Sequence, residues 1–419
     1  MKRNGLIGLV FTILALSVAS CNQEPTVYEW RGLDRAGIYY EEGLLKSWPD
    51  NGPELIWENE EIGNGYGSPI FTDKEMYIMG EADSVISLFA FDADLELIWK
   101  KDLGIDWMTN YTGARSAPTI VDHLIYMISA NGVVYCLDRN TGEKNWSVDM
   151  VNDLDGVFPL FGYSESVIIE DEKLFCTPGG KDNNVVALDR LTGDLIWASK
   201  GLGERSGYCS PQIIQLEERN VMVHFTAYEL LGHDTKTGEL LWSHNQDNTT
   251  KEERRPGLGD THSNTIIYED GYIYYAAGDG NCGVKLELSS EGKSIKEVWR
   301  NKEFDDYMGG IVKIGNYLYG GGTAKPIFSC VNAETGETEK SLRIGPGSVI
   351  AADDMLYYYN QRGDVHLITQ DSTNMEVISQ FKMTKGTRQH FAQPVINKGR
   401  LFVRHGQVIQ AYNIKDTAE

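Results

Sequence analysis

The sequence predicts an all-β chain of eight similar four-stranded antiparallel units, and three observations lead there. First, an Asp, a tight turn and a Trp seven or eight residues later recur. The copies run Asp92 to Trp99, Asp138 to Trp146, Asp189 to Trp197 and Asp234 to Trp242, with a longer one ending at Trp299. Second, counted from Trp57, the Trp-to-Trp steps are 42, 47, 51, 45 and 57 residues. A repeat of this length marks units that cannot bury a core alone and must stack. Third, each copy follows a pair of short β-branched and aromatic runs that flank a polar turn, the signature of a hairpin.

The elements follow in order. Pro69-Ile70-Phe71 and Met76-Tyr77-Ile78 flank the turn Thr72 to Glu75, and Thr119-Ile120-Val121 and Leu124-Ile125-Tyr126 flank Asp122-His123. Within residues 133–146, Val133 to Leu137 are β-formers, Asp138 to Gly142 make a turn, and Glu143 to Trp146 return as a second strand. Intact Thr-Gly pairs stand at Thr141-Gly142, Thr192-Gly193 and Thr237-Gly238, and Thr335-Gly336 marks a copy without its Trp. Lead strands are expected near Pro69, Pro118, Ser166, Pro211, Thr265, Gly310, Ser348 and Pro394. The last copy, 401–413, ends one strand short. The unclaimed run Glu54-Leu55-Ile56-Trp57 carries a Trp at the outer-strand position. It is expected to pair with Val408 to Tyr412, closing the ring and removing two exposed sheet edges. The expected fold is an eight-bladed β-propeller over residues 30–414, a single domain closed by a strand near 54–58, with a tail at 415–419.

One repeat reads Val186-Ala187-Leu188-Asp189-Arg190-Leu191-Thr192-Gly193-Asp194-Leu195-Ile196-Trp197. It resembles the Ala-x-Asp-x-x-Thr-Gly-x-x-x-Trp repeat of the pyrroloquinoline-quinone-like (PQQ-like) eight-bladed propellers. The resemblance covers roughly residues 30–414. That family holds quinoprotein dehydrogenases and the propeller lipoprotein of the outer-membrane barrel-assembly machine. It therefore implies the fold and leaves enzyme and scaffold both open.

The first residues differ in character. Lys2 and Arg3 precede an apolar run, Leu6 to Leu16, that is too short for a good membrane span. Val18-Ala19-Ser20-Cys21 then looks like a bacterial lipobox. Residues 1–20 are expected to be a lipoprotein signal peptide, Cys21 the lipidated first residue, and 21–29 a tether. Asn22, in place of an Asp that favours inner-membrane retention, points to the outer membrane, on either face. The formal charge of −23, with 61 Asp and Glu against 38 Lys and Arg, makes nucleic acid an unsuitable partner. Cys136, Cys176, Cys209, Cys282 and Cys330 form no C-x-x-C; Cys136 and Cys330 share the slot of Ala90 and Ala187 and read as small buried residues. No metal site is expected.

The repeat Asp, Thr-Gly and Trp residues are read as structural joints. Function is sought where equivalent slots disagree, in the segments leading into the innermost strands near the central funnel. Those slots hold Tyr66, Arg115, Tyr163, Tyr208, His262, Tyr307 or Met308, and Phe391 flanked by His390. Aromatic faces with a few polar donors suit a flat or sugar-like ligand. The loops before them add Asp106 to Tyr111, Glu204-Arg205, Arg254-Arg255, Asp260, Asn264 and Asp305-Asp306, while Lys325 and Arg388 could reach in. The function expected is a non-catalytic cell-envelope lipoprotein, a binding or scaffold module. It would have an envelope protein or saccharide-like ligand as partner and a small-ligand site at the funnel mouth. Two enzymatic alternatives stand beside it. A saccharide lyase or hydrolase would use Tyr208, His262 or His390 with Arg115. A PQQ-dependent dehydrogenase with Ca²⁺ is what the resemblance implies, but its adjacent cysteine pair is absent. No cofactor is expected.

Overall fold

The computed structural model describes residues 26–246, 250–261, 263–278, 282–306, 308–322 and 325–416. Its strands form eight sheets, each a blade of four antiparallel strands, arranged as a β-propeller. Innermost strands begin at Ile70, Thr119, Ile168, Gln212, Ile267, Val312, Gly347 and Val395, within three residues of the expected positions. Cys21 and the signal peptide lie outside the described residues, as do His262 and Tyr307.

The repeat owes its form to one joint used around the ring. Asp138 Oδ1 accepts from the Asn140 and Thr141 N–H groups and from the Thr141 hydroxyl, closing the turn. Asp189 and Asp234 make the same backbone turn, and Asn332 substitutes in the sixth blade. The following Gly takes positive φ, +69° at Gly142 and +74° at Gly238, and lies against the Trp of the preceding blade. A Cβ on Gly238 would sit 2.6 Å from the Trp197 ring. Four indole N–H groups then donate into the next blade: Trp146 to Arg190 O, Trp197 to Thr235 O, Trp242 to Gly292 O and Trp299 to Ala333 O, at 2.9–3.2 Å. Directly opposite five of the six repeat Trp residues stands a small residue, Ala90, Cys136, Ala187, Gly232 or Ala411, while Trp299 faces Lys285. The register slips by one residue beside this pair in every blade. Such a bulge sharpens the local twist.

Glu54–Asn59 pairs antiparallel with Val408–Asn413, placing Trp57 opposite Ala411. The ring is therefore closed by strands from both ends of the chain, as the sequence predicts. The five cysteines of the propeller are all buried and unbridged.

A second closure was not legible in the sequence. Val27–Tyr28, assigned above to the tether, is a strand paired antiparallel with Thr119–Val121, the inner strand of blade 2. Ile38–Tyr39 pairs in parallel with Gly347–Ala352, the inner strand of blade 7. Residues 29–37 cross between them as a strap through the centre of the ring. Arg35, fully buried, donates to Ser166 O (3.1 Å), Val167 O (2.7 Å) and Pro211 O (2.9 Å) of blades 3 and 4, and pairs with Glu29 at 2.6 Å. Arg31 donates to Gly309 O, Ile311 O, Val349 O and Gln393 Oε1, reaching blades 6, 7 and 8. Burial pulls the Arg31 guanidinium down to about 10, which leaves it charged at neutral pH. The strap holds Arg31, Asp34 and Arg35 at positive φ. Such strain costs roughly 1–2 kcal/mol per residue. Hydrogen bonds from a charged donor each contribute about 1.5–3 kcal/mol, so the guanidinium bonds outweigh it.

Candidate functional site

The strap turns the funnel into a blind cup. Its cavity of about 190 Å³ has Trp30, Ser166, Ser210 and Gln393 in its lining along with the funnel-slot residues. Gln393 is held by the strap: its Oε1 accepts from Arg31 and its Nε2 donates to Gly309 O. Around the cup runs a chain of ring contacts. Tyr66 meets Phe391 (5.7 Å between centroids), Phe391 meets Tyr111 (6.5 Å), Tyr111 meets Phe161 edge-on (5.5 Å), and Phe161 meets Tyr208 (5.8 Å). Two hydrogen bonds pin the ends: Tyr66 donates to Gln389 Oε1 (3.0 Å), and the Phe161 N–H donates to the Tyr208 hydroxyl (3.4 Å).

Arg115 is the single charged side chain among the described lining residues. Its Nη2 donates to Asn110 O (2.9 Å) and Tyr111 O (2.6 Å), which fixes the guanidinium plane, while Nη1 has no partner among the described residues. Burial lowers its pKa, and the nearby Asp106 carboxylate works the other way. The serine hydroxyls divide into two sets. Ser68 and Ser164 spend their hydrogens on Gln393 O and Tyr208 O. Ser166 Oγ accepts from the Ala117 N–H and Ser210 Oγ from the Ser166 N–H, both at 2.9 Å, so their own hydrogens stay available. A hydroxyl that already accepts still has one hydrogen to donate.

Of the residues singled out from sequence, Tyr66, Arg115, Tyr208 and Phe391 come together in the cup, with Met308 beside them. Tyr163 does not. It is buried between blades 2 and 3, its ring 2.6 Å from where a Gly132 Cβ would stand and its hydroxyl donating to Pro178 O. The chain leading into blade 3 instead sends Phe161, two residues earlier, to the collar. His390 lies behind Phe391, stacked on His405 at 3.6 Å and hydrogen-bonded to the Tyr359 hydroxyl. Burial, reinforced by His405, lowers its pKa to about 4. Burial also raises the phenols of Tyr66 and Tyr208.

Several of the remaining loop candidates are held in ion pairs or hydrogen bonds. Arg205 binds Asp260 at 2.6 Å, Arg254 binds Glu204 at 3.1 Å, and Lys325 binds Glu303. Asp306 accepts from Asn264 Nδ2 and from the Gly309 and Gly321 N–H groups. Sequence reasoning missed Trp30, Phe161, Ser166 and Ser210 as lining residues, and it flagged Tyr111 through its loop.

Outside the cup, the loops before blades 2 and 3 expose apolar side chains. Ile105 is 73% exposed, Met108 47%, Val157 45%, Phe158 40% and Leu160 39%. The two loops touch through Trp107 and Phe158 rings (5.4 Å) and an Asn110 Nδ2 to Leu160 O hydrogen bond (3.1 Å). The exposed groups therefore form one rim patch.

Comparison with known proteins gives a consistent fold. Residues 87–342 match the family described as outer membrane protein assembly factor BamB. Among solved structures, BamB from Moraxella catarrhalis superposes with a TM-score of 0.60 at 14% identity, over 86% of this chain and 99% of that one. A europium-containing methanol dehydrogenase superposes with a TM-score of 0.52 at 12% identity, over 89% and 88%. Both likenesses concern the fold. Curated relatives include the quinohemoprotein alcohol dehydrogenase of Comamonas testosteroni, 26% identical over 159 residues, 34% of this chain. The quinoprotein alcohol dehydrogenase PedH of Pseudomonas putida is 25% identical over 162 residues, 36% of this chain. The matches span 22% and 25% of those relatives' own lengths.

Proposed function

The chain belongs to the family described as outer membrane protein assembly factor BamB, and from that premise we propose that it is a non-catalytic scaffold of the cell envelope. It would be lipid-anchored through Cys21 in the outer membrane and seat a protein partner on its rim. The observation that carries this reading is the apolar patch of Met108, Val157, Phe158 and Leu160 on two mutually braced loops. A contiguous exposed apolar patch rimmed by polar surface is what a protein interface requires. The partner class, a component of outer-membrane protein assembly, follows from the family description.

The enzymatic alternatives lack their parts. A general base works best with a pKa near the ambient pH. Tyr208 sits far above that range and His390 far below it, tied to Tyr359. Pyrroloquinoline quinone with Ca²⁺ does not fit either. The chain has no adjacent cysteine pair, and no carboxylate lines the cup among the described residues. Two loop carboxylates able to ligate a cation are committed elsewhere: Asp260 to Arg205, and Asp306 to Asn264 and two backbone N–H groups.

Two experiments test the reading. Replacing Phe158 and Leu160 together by Glu should abolish co-purification with outer-membrane assembly proteins while leaving the unfolding midpoint unchanged. Undiminished co-purification refutes the rim as the docking surface. Cys21→Ser should move the protein from the membrane to the soluble fraction; a variant that stays in the membrane in high salt refutes the anchor.

A further inference from the structure

The two ends of the ring carry different things. Each innermost strand starts beside the cup and runs to the polar turn that joins it to its neighbour: Thr119–Val121, for example, leads into Asp122-His123. The cup lining and the rim patch come from segments that precede innermost strands, so both lie at one end. The polar turns and the Asp-capped Thr-Gly turns lie at the other.

The strap enters and leaves at the turn end. Val27 pairs with Val121 and Tyr28 with Ile120, so the chain passes the turn of blade 2 first and then runs inward. Trp30 reaches the cup lining. Ile38 and Tyr39 pair in parallel with Ala351 and Ala352, and the chain runs back out beside the turn Asp353-Asp354. The segment preceding Val27 therefore joins the ring next to an innermost strand, on the end opposite the cup and the rim patch.

Length then limits how an anchored ring can stand. Cys21 to Val27 is six Cα steps. These reach at most about 22 Å and span about 14 Å on average as a flexible chain. A blade of four strands about 4.8 Å apart is roughly 14 Å wide. A strand of eight residues such as Glu75–Ala82 stands roughly 25 Å tall. To lay the cup end on a membrane, the tether would have to cross a blade and climb its outer strand, roughly 40 Å. Standing the ring on edge would draw the tether nearly taut. The turn end alone meets the membrane with slack. That end is acidic, with exposed Asp171, Glu172, Asp194, Glu218, Asp270 and Asp371. Anionic headgroups repel it, but over only about 8 Å at physiological salt. The repulsion lifts the ring within the slack of the tether and does not turn it over.

We propose that the protein, anchored through Cys21, holds its turn end toward the membrane and opens the cup and rim patch to the aqueous side. The partner seated on the rim is then a water-soluble domain standing off the membrane, and not the lipid surface or a membrane-embedded segment. This rests on the anchor and rim readings above.

The test uses the lipidated full-length protein on vesicles of phosphatidylethanolamine and phosphatidylglycerol that carry a headgroup quencher. One thiol-reactive fluorophore is placed at a time, through Glu172→Cys at the turn end of blade 3 or Val157→Cys on the rim before the same blade. The five propeller cysteines are buried, so the label goes to the introduced thiol. Circular dichroism and the unfolding midpoint check that both variants fold. With roughly 25 Å between the two ends, the probe at 172 should be quenched about twofold or more strongly than the probe at 157, in low and high salt alike. A Gly-Ser segment of about twenty residues inserted between Glu24 and Pro25 extends the reach to about 90 Å and should bring the two probes to similar quenching. Protein that stays in solution refutes the anchor, and the orientation with it. Vesicle-bound protein with equal quenching at both sites, or stronger quenching at 157, refutes the orientation alone. So does an asymmetry that the longer tether leaves unchanged or that high salt removes.

Discussion

Arg35 is the side chain on which the strap depends, and replacing it by Met gives a prediction with a workable magnitude. The variant loses donors to Ser166 O, Val167 O and Pro211 O and strands the Glu29 carboxylate. Removing one partner of a buried ion pair typically costs about 3–5 kcal/mol. The three carbonyls would each cost about 1–3 kcal/mol if left dry. Water entering from the channel recovers part of that sum, so the two figures overlap and the expected loss is about 3–5 kcal/mol. Arg35→Lys keeps the charge, but one ammonium cannot span carbonyls on two blades, and about 2 kcal/mol should be lost. Urea unfolding measures the global effect. Amide exchange of residues 27–39 measures whether the strap opens before the ring does. If Arg35→Met costs less than about 1 kcal/mol and the strap amides stay protected, the strap is not held by this guanidinium and the reasoning is wrong.

Other expectations follow from the same geometry. Gly238→Ala adds a methyl 2.6 Å from Trp197 at φ +74°, and should destabilise by about 2–4 kcal/mol in urea titration. Combining it with Trp197→Leu should recover part of that loss, and strict additivity would contradict the joint. The buried pair His224 and His233 share a hydrogen bond (3.2 Å), and burial lowers both pKa values, that of His233 to about 4. A depressed histidine keeps the folded state neutral while the unfolded chain takes up a proton, so stability falls as pH drops from 6.5 toward 4. The loss is on the order of 3 kcal/mol for His233, and a His224→Leu, His233→Leu variant should show a flatter acid limb. Glu165 acts with opposite sign. Burial raises it to about 7, so its share of stability is fully present below pH 4.5 and is lost as pH rises from 4.5 through 7. Glu165→Gln should remove that decline. Added pyrroloquinoline quinone with Ca²⁺ should give no alcohol or sugar oxidation; robust turnover would overturn the non-catalytic reading.

The blades were legible because one local joint repeats. An Asp-capped turn, a left-handed Gly and a Trp leave a periodic trace, and the Trp57 strand is identifiable because it carries that trace alone. Four of the funnel residues were legible for the complementary reason, being variable at a constant slot: Tyr66, Arg115, Tyr208 and Phe391. Tyr163 failed because Gly132 opens space between blades, drawing its ring inward and passing the collar position to Phe161. The strap left no trace at all. Arg31 and Arg35 bond to backbone carbonyls of four scattered ring segments, and carbonyls have no residue identity for a sequence to display. Arg31 and Arg35, just past the expected tether, carry no repeat signature that would set them apart in the sequence.

The most direct test of the scaffold claim is site-specific photo-crosslinking in intact envelopes. One probe replaces Phe158 on the rim and another Ile196 on an outer strand, both exposed. Identification by mass spectrometry of an outer-membrane assembly protein captured from position 158, and not from 196, is the predicted result. Capture of such a protein from 196 alone, or from neither position in cells with full-length membrane-bound protein, would contradict it.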